Sequence, residues 1–246
     1  MAHSYRALCS DFYVNVKLAM KLELPRERQP LLDLFDRMRR QFPDLEHVRR
    51  YRDELALEAG TDERGRWMAV RARDLRAGIV NPEAVEEALI MHRQLLQLAP
   101  YYLGVTPLDV DYLELLFGFD LPADGDHSAI VSSALLEGSP LAGAMDQHGF
   151  SLIECQPAFG VALDGDRSLE AFFEVKTGAP RAARAPAPPT EPISVYVTLR
   201  RYGPARSVED LPGDLERLAA RGEELVASVA IPRMLNPIRE MIGSSG

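Results

Sequence analysis

The sequence predicts an α+β protein, with a ferredoxin-like unit in its first half and a second antiparallel strand-and-helix unit after it. Three observations predict this. Strict alternation opens the chain, apolar residues then recur twice at helical spacing, and strands return in pairs rather than one per helix.

From Phe12 the even positions are apolar (Phe12, Val14, Val16, Leu18, Met20, Leu22, Leu24), while Tyr13, Asn15, Lys17, Lys21 and Glu23 fall between them. Such a strand has one face on a core and one on solvent. Pro25 ends it. Leu31, Leu32, Phe35, Met38 and Phe42 follow with helical spacing, and Pro43 stops that helix. Strands are predicted near 50–58 and 66–73, around the turn-rich AGTDERG. Asn81 then reads as an N-cap, with Pro82 in the first turn and Glu83, Glu86 and Glu87 at the positive end of the dipole. Pro100 is expected to close this helix, and DVDYLELLFGFDL (109–121) to form a strand.

Residues 1–121 therefore read β-α-β-β-α-β, the order of a split βαβ sandwich. In residues 122–246 a helix is predicted over 127–137, capped by Asp126 or Ser128. Strands are predicted at 151–163, 168–177 and 193–202, then a long helix over 208–228 and a short one after Asn236-Pro237. The Pro/Ala-rich GAPRAARAPAPPTEP (178–192) cannot bury a core and is expected to be an exposed loop. One sheet shared by both halves and two docked domains both satisfy this pattern.

A 46% hydrophobic content over 246 residues can fill a core without metals or disulfides. Net charge is −9, so the overall field does not steer the protein towards nucleic acid or an anionic membrane. Cys9 and Cys155 lie in no CxxC or Cys/His cluster, so neither a zinc site nor a cofactor is expected. No run of 18 apolar residues occurs and MAHSYRALCSD has no apolar leader core, so the expected address is the cytoplasm.

Two stretches carry the residue types of metal-assisted chemistry. In FFEVKTG (172–178), Glu174 and Lys176 share one side of a strand, and the pattern locally resembles restriction-endonuclease-like nucleases. Such enzymes hold Mg²⁺ with two acids while a lysine positions water. Glu154, Asp164 and Asp166 are the candidate second acids. The two aspartates sit in a hairpin turn, roughly 25 Å along the strand from Lys176 at about 3.3 Å per residue, too far to share a metal. If residue 164 pairs with 167, Glu174 faces Pro157 and Glu154 points to the opposite face. Leu169, Ala171, Phe173 and Val175 then form a buried face, which makes the stretch an ordinary half-buried strand. The second stretch is PLDVDYLE (107–114), where Asp109 and Asp111 share a strand face and suit Mg²⁺ or a carboxylate-based hydrolase. A solvated strand face reads the same way.

The five histidines have no metal-ligand spacing, and His92 on an apolar helix side reads as a satisfied core histidine. Arg26, Arg28, Arg37, Arg39, Arg40, Arg49, Arg50 and Arg52 are interspersed with acids. They read as a mixed-charge helix face, complementary to the acidic 109–126 segment of a partner subunit.

The stretches ALCSDFYVN, RRYRDELALE, LRAGIVNPE, PLDVDYLELLFGFD, FFEVKTG and EPISVYVTLRR together resemble an uncharacterised bacterial family of conserved hypothetical proteins, over nearly the whole length. That resemblance implies no activity, cofactor or catalytic residue. The reading that results is a non-enzymatic cytoplasmic protein that binds protein, as a homodimer or larger assembly. Two alternatives stand beside it. One is an enzyme using Glu174, Lys176 and Glu154, or Asp109 and Asp111. The other is a small-ligand pocket lined by Tyr13, Asn15, Tyr101 and Tyr102.

Overall fold

The opening alternation becomes strand β1 (Asp11–Met20), with Phe12, Val14, Val16 and Leu18 buried and Tyr13, Asn15 and Lys17 half-exposed between them. In the computed structural model, which describes residues 5–25, 27–60, 65–145, 152–177 and 191–244, this strand sits at the middle of a nine-stranded sheet. The other strands are β2 (Leu45–Arg50), β3 (Glu54–Ala59), β4 (Arg66–Arg71), β5 (Asp74–Val80), β6 (Val110–Leu121), β7 (Ala158–Ala162), β8 (Leu169–Lys176) and β9 (Ile193–Tyr202). Their spatial order is β2-β3-β4-β5-β1-β6-β9-β8-β7, antiparallel throughout. One sheet thus runs through both halves of the chain.

The fold is α+β, but the ferredoxin-like order over residues 1–121 gives way to β-α-β-β-β-β-α-β. The two strands absent from the sequence reading lack the expected signals. In β2 only Leu45 is buried and the rest is exposed, so no alternation appears. Strand β5 follows β4 through Ala72-Arg73, a turn without Gly, Pro or Asn.

Helices α1 (Arg28–Gln41), α2 (Val85–Leu103) and α5 (Leu211–Leu225) pack side by side over one sheet face. Helix α1 places Leu34, Phe35 and Met38 against that face. Asn81 is not the cap of α2. It is buried at a left-handed φ of 51°, and Ala84 precedes the first turn instead. Pro100 lies inside α2, because burial of Ala99 and Leu103 holds the last turn in place until Gly104 closes it at φ 62°. Gly222 of α5 faces Phe117 and Leu199, and a Cβ there would fall inside the Phe117 ring, so this helix approaches the sheet more closely than any larger residue allows. Asp214 of α5 is buried and receives Arg201 of β9 at 2.7 Å together with Arg217, tying the helix start to the sheet.

Helix α3 (His127–Leu136) begins as expected, with the Ala129 N–H donating to Asp126 at 3.0 Å. Ser128 serves another purpose, accepting the Cys155 N–H. A short α4 (Pro140–Met145) follows. The strand expected over 151–163 contracts to β7, while β8 and β9 lie close to their expected places. After a 3₁₀ turn at Val208–Asp210, α5 continues through a wide π-type segment, Val226–Leu235, into α6 (Asn236–Ser244). The loop expected at 178–192 lies almost wholly outside the described residues. Among those residues no helix is long and apolar enough to cross a membrane.

Candidate functional site

With helices on one face, the other face of the sheet presents its own side chains to solvent. Register places Trp67, Gly78, Asn15 and Leu116 in one row, and Tyr13, Gly118, Tyr196 and Glu174 in the next. The two glycines are required by the rings over them. A Cβ at Gly118 would fall inside the Tyr13 ring, and one at Gly78 would meet Trp67 and Asn15.

Charges on this face are paired within it. Arg71 meets Glu54 at 2.6 Å, Arg76 meets Asp74 at 2.5 Å, Arg49 meets Glu58 at 3.2 Å and Arg200 meets Glu114 at 2.5 Å. Arg200 also lies over Tyr112 (4.6 Å to the ring centre), Phe172 (5.0 Å) and Tyr202 (5.6 Å), and Lys17 donates to the Tyr112 hydroxyl at 2.6 Å. Each of these cations has a partner of fixed geometry.

One corner of the face brings two acids together. Asp11 stands opposite Asp120 across β1 and β6. Asn81 donates to Asp11 at 2.8 Å and accepts the Phe12 N–H at 3.0 Å, which accounts for its left-handed backbone. Ser194 and Tyr13 hydroxyls donate to one Asp120 oxygen at 2.7 and 3.2 Å. Burial, and behind it the Asp11 charge, holds the Asp120 carboxyl above its ordinary range despite those two bonds. Burial likewise raises the Tyr13 phenol, with its Tyr196 bond next in weight. The nearby Cys9 thiol is pushed up to about 12 by burial, then by Asp11 and Asp120. A thiol so raised is a poor nucleophile at neutral pH. The corner joins strands and lacks a group activated for attack.

The sequence-predicted site residues do not converge. Glu174 is half-buried beside Tyr196, and Lys176 is exposed with its Nζ 5.7 Å from the Tyr196 ring centre. Glu154 is exposed in the segment before β7. The hairpin register differs by one residue from that expected, so Glu174 faces Ala158 rather than Pro157. The cause is a wider turn, with the Leu163 N–H donating to the Leu169 carbonyl and Arg167 taken into the left-handed region at φ 60°. Asp109 lies before β6 and accepts the Thr106 N–H at 3.0 Å and its hydroxyl at 2.6 Å, while Asp111 is exposed. Among the described residues no group of three or more His, Cys, Asp or Glu could hold a metal ion. The pocket expected from Tyr13, Asn15, Tyr101 and Tyr102 does not form. The first two lie on the open sheet face, and Tyr101 is an exposed residue of α2.

His92 is fully buried as expected, but neither ring nitrogen has a hydrogen-bond partner among the described residues, and burial pushes its pKa down to about 3. The early arginines do not share a helix face. Arg28, Arg37, Arg39 and Arg40 belong to α1, whereas Arg49 and Arg50 belong to β2 and Arg52 to the turn after it.

The two sheet edges contrast sharply. Edge strand β2 carries Glu46, His47, Arg49 and Arg50 and has a bulge between Leu45 and His47, both of which discourage a further strand. Edge strand β7 reads AFGVA, has no charge and no proline, and is exposed at every residue. Phe159 is 53% and Val161 40% exposed, although Phe159 stacks on the buried Phe173 at 5.0 Å. The Leu163 N–H bonds Leu169 and the Val175 N–H bonds the Pro157 carbonyl. Antiparallel alternation then aims the amides of Phe159 and Val161 at β8 and those of Ala158, Gly160 and Ala162 outwards. Sequence reasoning missed this edge. The uncharged AFGVA run was legible, but its place at the rim of the sheet was not. No protein-family model matches the chain, and no curated protein matches it in sequence.

Proposed function

We propose that the protein is a non-enzymatic, protein-binding protein whose β7 edge pairs with β7 of a second copy to make a homodimer. The observation that carries this reading is the unprotected edge: five consecutive exposed, uncharged residues with outward amides, at the opposite end of the sheet from a charged, bulged edge. The strand is self-complementary. An antiparallel two-fold centred on Gly160 sets Gly160 against its own copy, Ala158 against Ala162, and Phe159 against Val161. The outward amides then bond across the two-fold, and the exposed Phe159 and Val161 bury each other. No charge opposes a like charge. The raised Cys9 thiol and the scattered carboxylates supply no nucleophile or metal cluster among the described residues, which favours binding over catalysis. A cytoplasmic address fits Cys9 and Cys155 as free thiols.

The pairing sets a register that a cross-link reads. Residues exchanging both amide bonds stand about 5.5 Å apart between Cα atoms, within disulfide reach. The double variant Ala158→Cys/Ala162→Cys should therefore form covalent dimers on mild oxidation, while Glu46→Cys on the opposite edge should not. Equal cross-linking at both edges, or none at β7, would refute the arrangement.

A further inference from the structure

The sheet end away from β7 holds a cavity of about 840 Å³, between the start of α1 and the tips of the β2–β3 and β4–β5 hairpins. Its floor is apolar, made by Leu31 and Leu32 of α1 with Val48, Leu55 and Val70 of the strands. Its rim is cationic. Arg28, Arg50, Arg52 and Arg73 all line it and are exposed, and none makes a side-chain ion pair or hydrogen bond among the described residues. The remaining charges of the lining largely cancel, because Arg71 is held by Glu54 and Asp74 by Arg76. Asp53 alone is left to oppose four guanidiniums.

That concentration is notable in a chain with 37 acids against 28 lysines and arginines. Elsewhere on the sheet arginines are paired with carboxylates, whereas these four line one cavity with an apolar floor and are unpaired among the described residues. Guanidinium forks match carboxylate and phosphate oxygens, and their mutual repulsion is relieved when an anion sits among them. A cavity of this size suits a small molecule, with the floor burying its body and the rim orienting its head.

We propose that this cavity binds a small anionic amphiphile, with a carboxylate or phosphate headgroup held by the four arginines and an apolar chain lying on Leu31, Leu55 and Val70. The site is remote from the β7 edge, so its occupancy does not depend on dimerisation.

The test titrates the full chain by calorimetry with decanoate and with decyl phosphate, each below its micelle concentration, and with decanol and inorganic phosphate. The expected result is saturable one-to-one binding of at least one of the two amphiphiles, weakened by salt. The tighter of the two names the headgroup. Arg50→Gln/Arg73→Gln should weaken that binding about tenfold or more, since each lost charge-assisted bond is worth more than about 1.4 kcal/mol. Both arginines are exposed and unpartnered among the described residues, so the variant should keep the wild-type melting temperature. Val48→Trp, which narrows the floor without changing charge, should also weaken the amphiphile. Overturning results are no saturable binding by either amphiphile, equal binding of decanol, equal binding of inorganic phosphate, or affinity unchanged in the arginine variant.

Discussion

One buried residue, His92, should add its own share to the destabilisation of this protein by acid. His92 is wholly buried, its ring nitrogens are unpartnered among the described residues, and its pKa is pushed from 6.5 to about 3 by burial. A folded-state pKa below the unfolded one gives stability that is complete above pH 6.5 and drains as pH falls towards 3. At pH 5 the unfolded chain holds this proton and the folded chain does not. The gap of about 1.5 units below the unfolded value, at 1.36 kcal/mol each, costs about 2 kcal/mol. The assay is urea unfolding of wild type and His92→Leu at pH 7.5 and pH 5.0. Carboxylate contributions are common to both proteins and cancel in the difference. Wild type should lose about 2 kcal/mol more than His92→Leu on acidification. At pH 7.5 the leucine variant should match or exceed wild type, because an apolar group replaces two unsatisfied nitrogens. An equal acid response in both proteins would mean that His92 is not held neutral in the folded chain.

Truncating Phe173, 2% exposed and stacked on Phe159, should cost about 3–5 kcal/mol in Phe173→Ala by urea unfolding. Glu174→Ala and Lys176→Ala should stay within about 0.5 kcal/mol of wild type. Millimolar Mg²⁺ should leave the wild-type melting temperature unchanged; saturable stabilisation that disappears in Glu174→Ala would instead establish a metal site. Asp214→Ala should cost about 3–5 kcal/mol, since it strands the half-buried Arg201 guanidinium without its carboxylate. A loss below about 1 kcal/mol would show that water replaces the pair.

What could be read from the sequence followed the strength of one-sided burial. Strand β1 was legible because its burial alternates over most of its length, and β9 because apolar and polar residues alternate in it, although Ser194 and Thr198 are buried as well. Strand β2 was not, because an edge strand with one buried residue has no pattern to show. Asn81 looked like a cap for a physical reason: short polar side chains both cap helices and tolerate left-handed backbone, and its bonds to Asp11 and Phe12 come from a strand 70 residues away. The same non-locality hid both surfaces on which the functional reading rests. Nothing in AFGVA says which strand ends the sheet. Nothing in the sequence spacing of Arg28, Arg50, Arg52 and Arg73 says that they line one cavity, since α1 and two hairpin tips place them there. Glu174 and Lys176, by contrast, carried a local pattern that the sheet register dissolved.

If the β7 edge closes on a second copy, Val161→Lys should open it. Val161 is 40% exposed, so a lysine there is tolerated by the monomer but sets a charge on the pairing surface. Light scattering across a micromolar dilution series should return about twice 27.4 kDa for wild type and 27.4 kDa for the variant, with matching melting temperatures at low concentration. A wild-type mass of 27.4 kDa at every concentration, or a dimer that survives the lysine, would rule out pairing through β7.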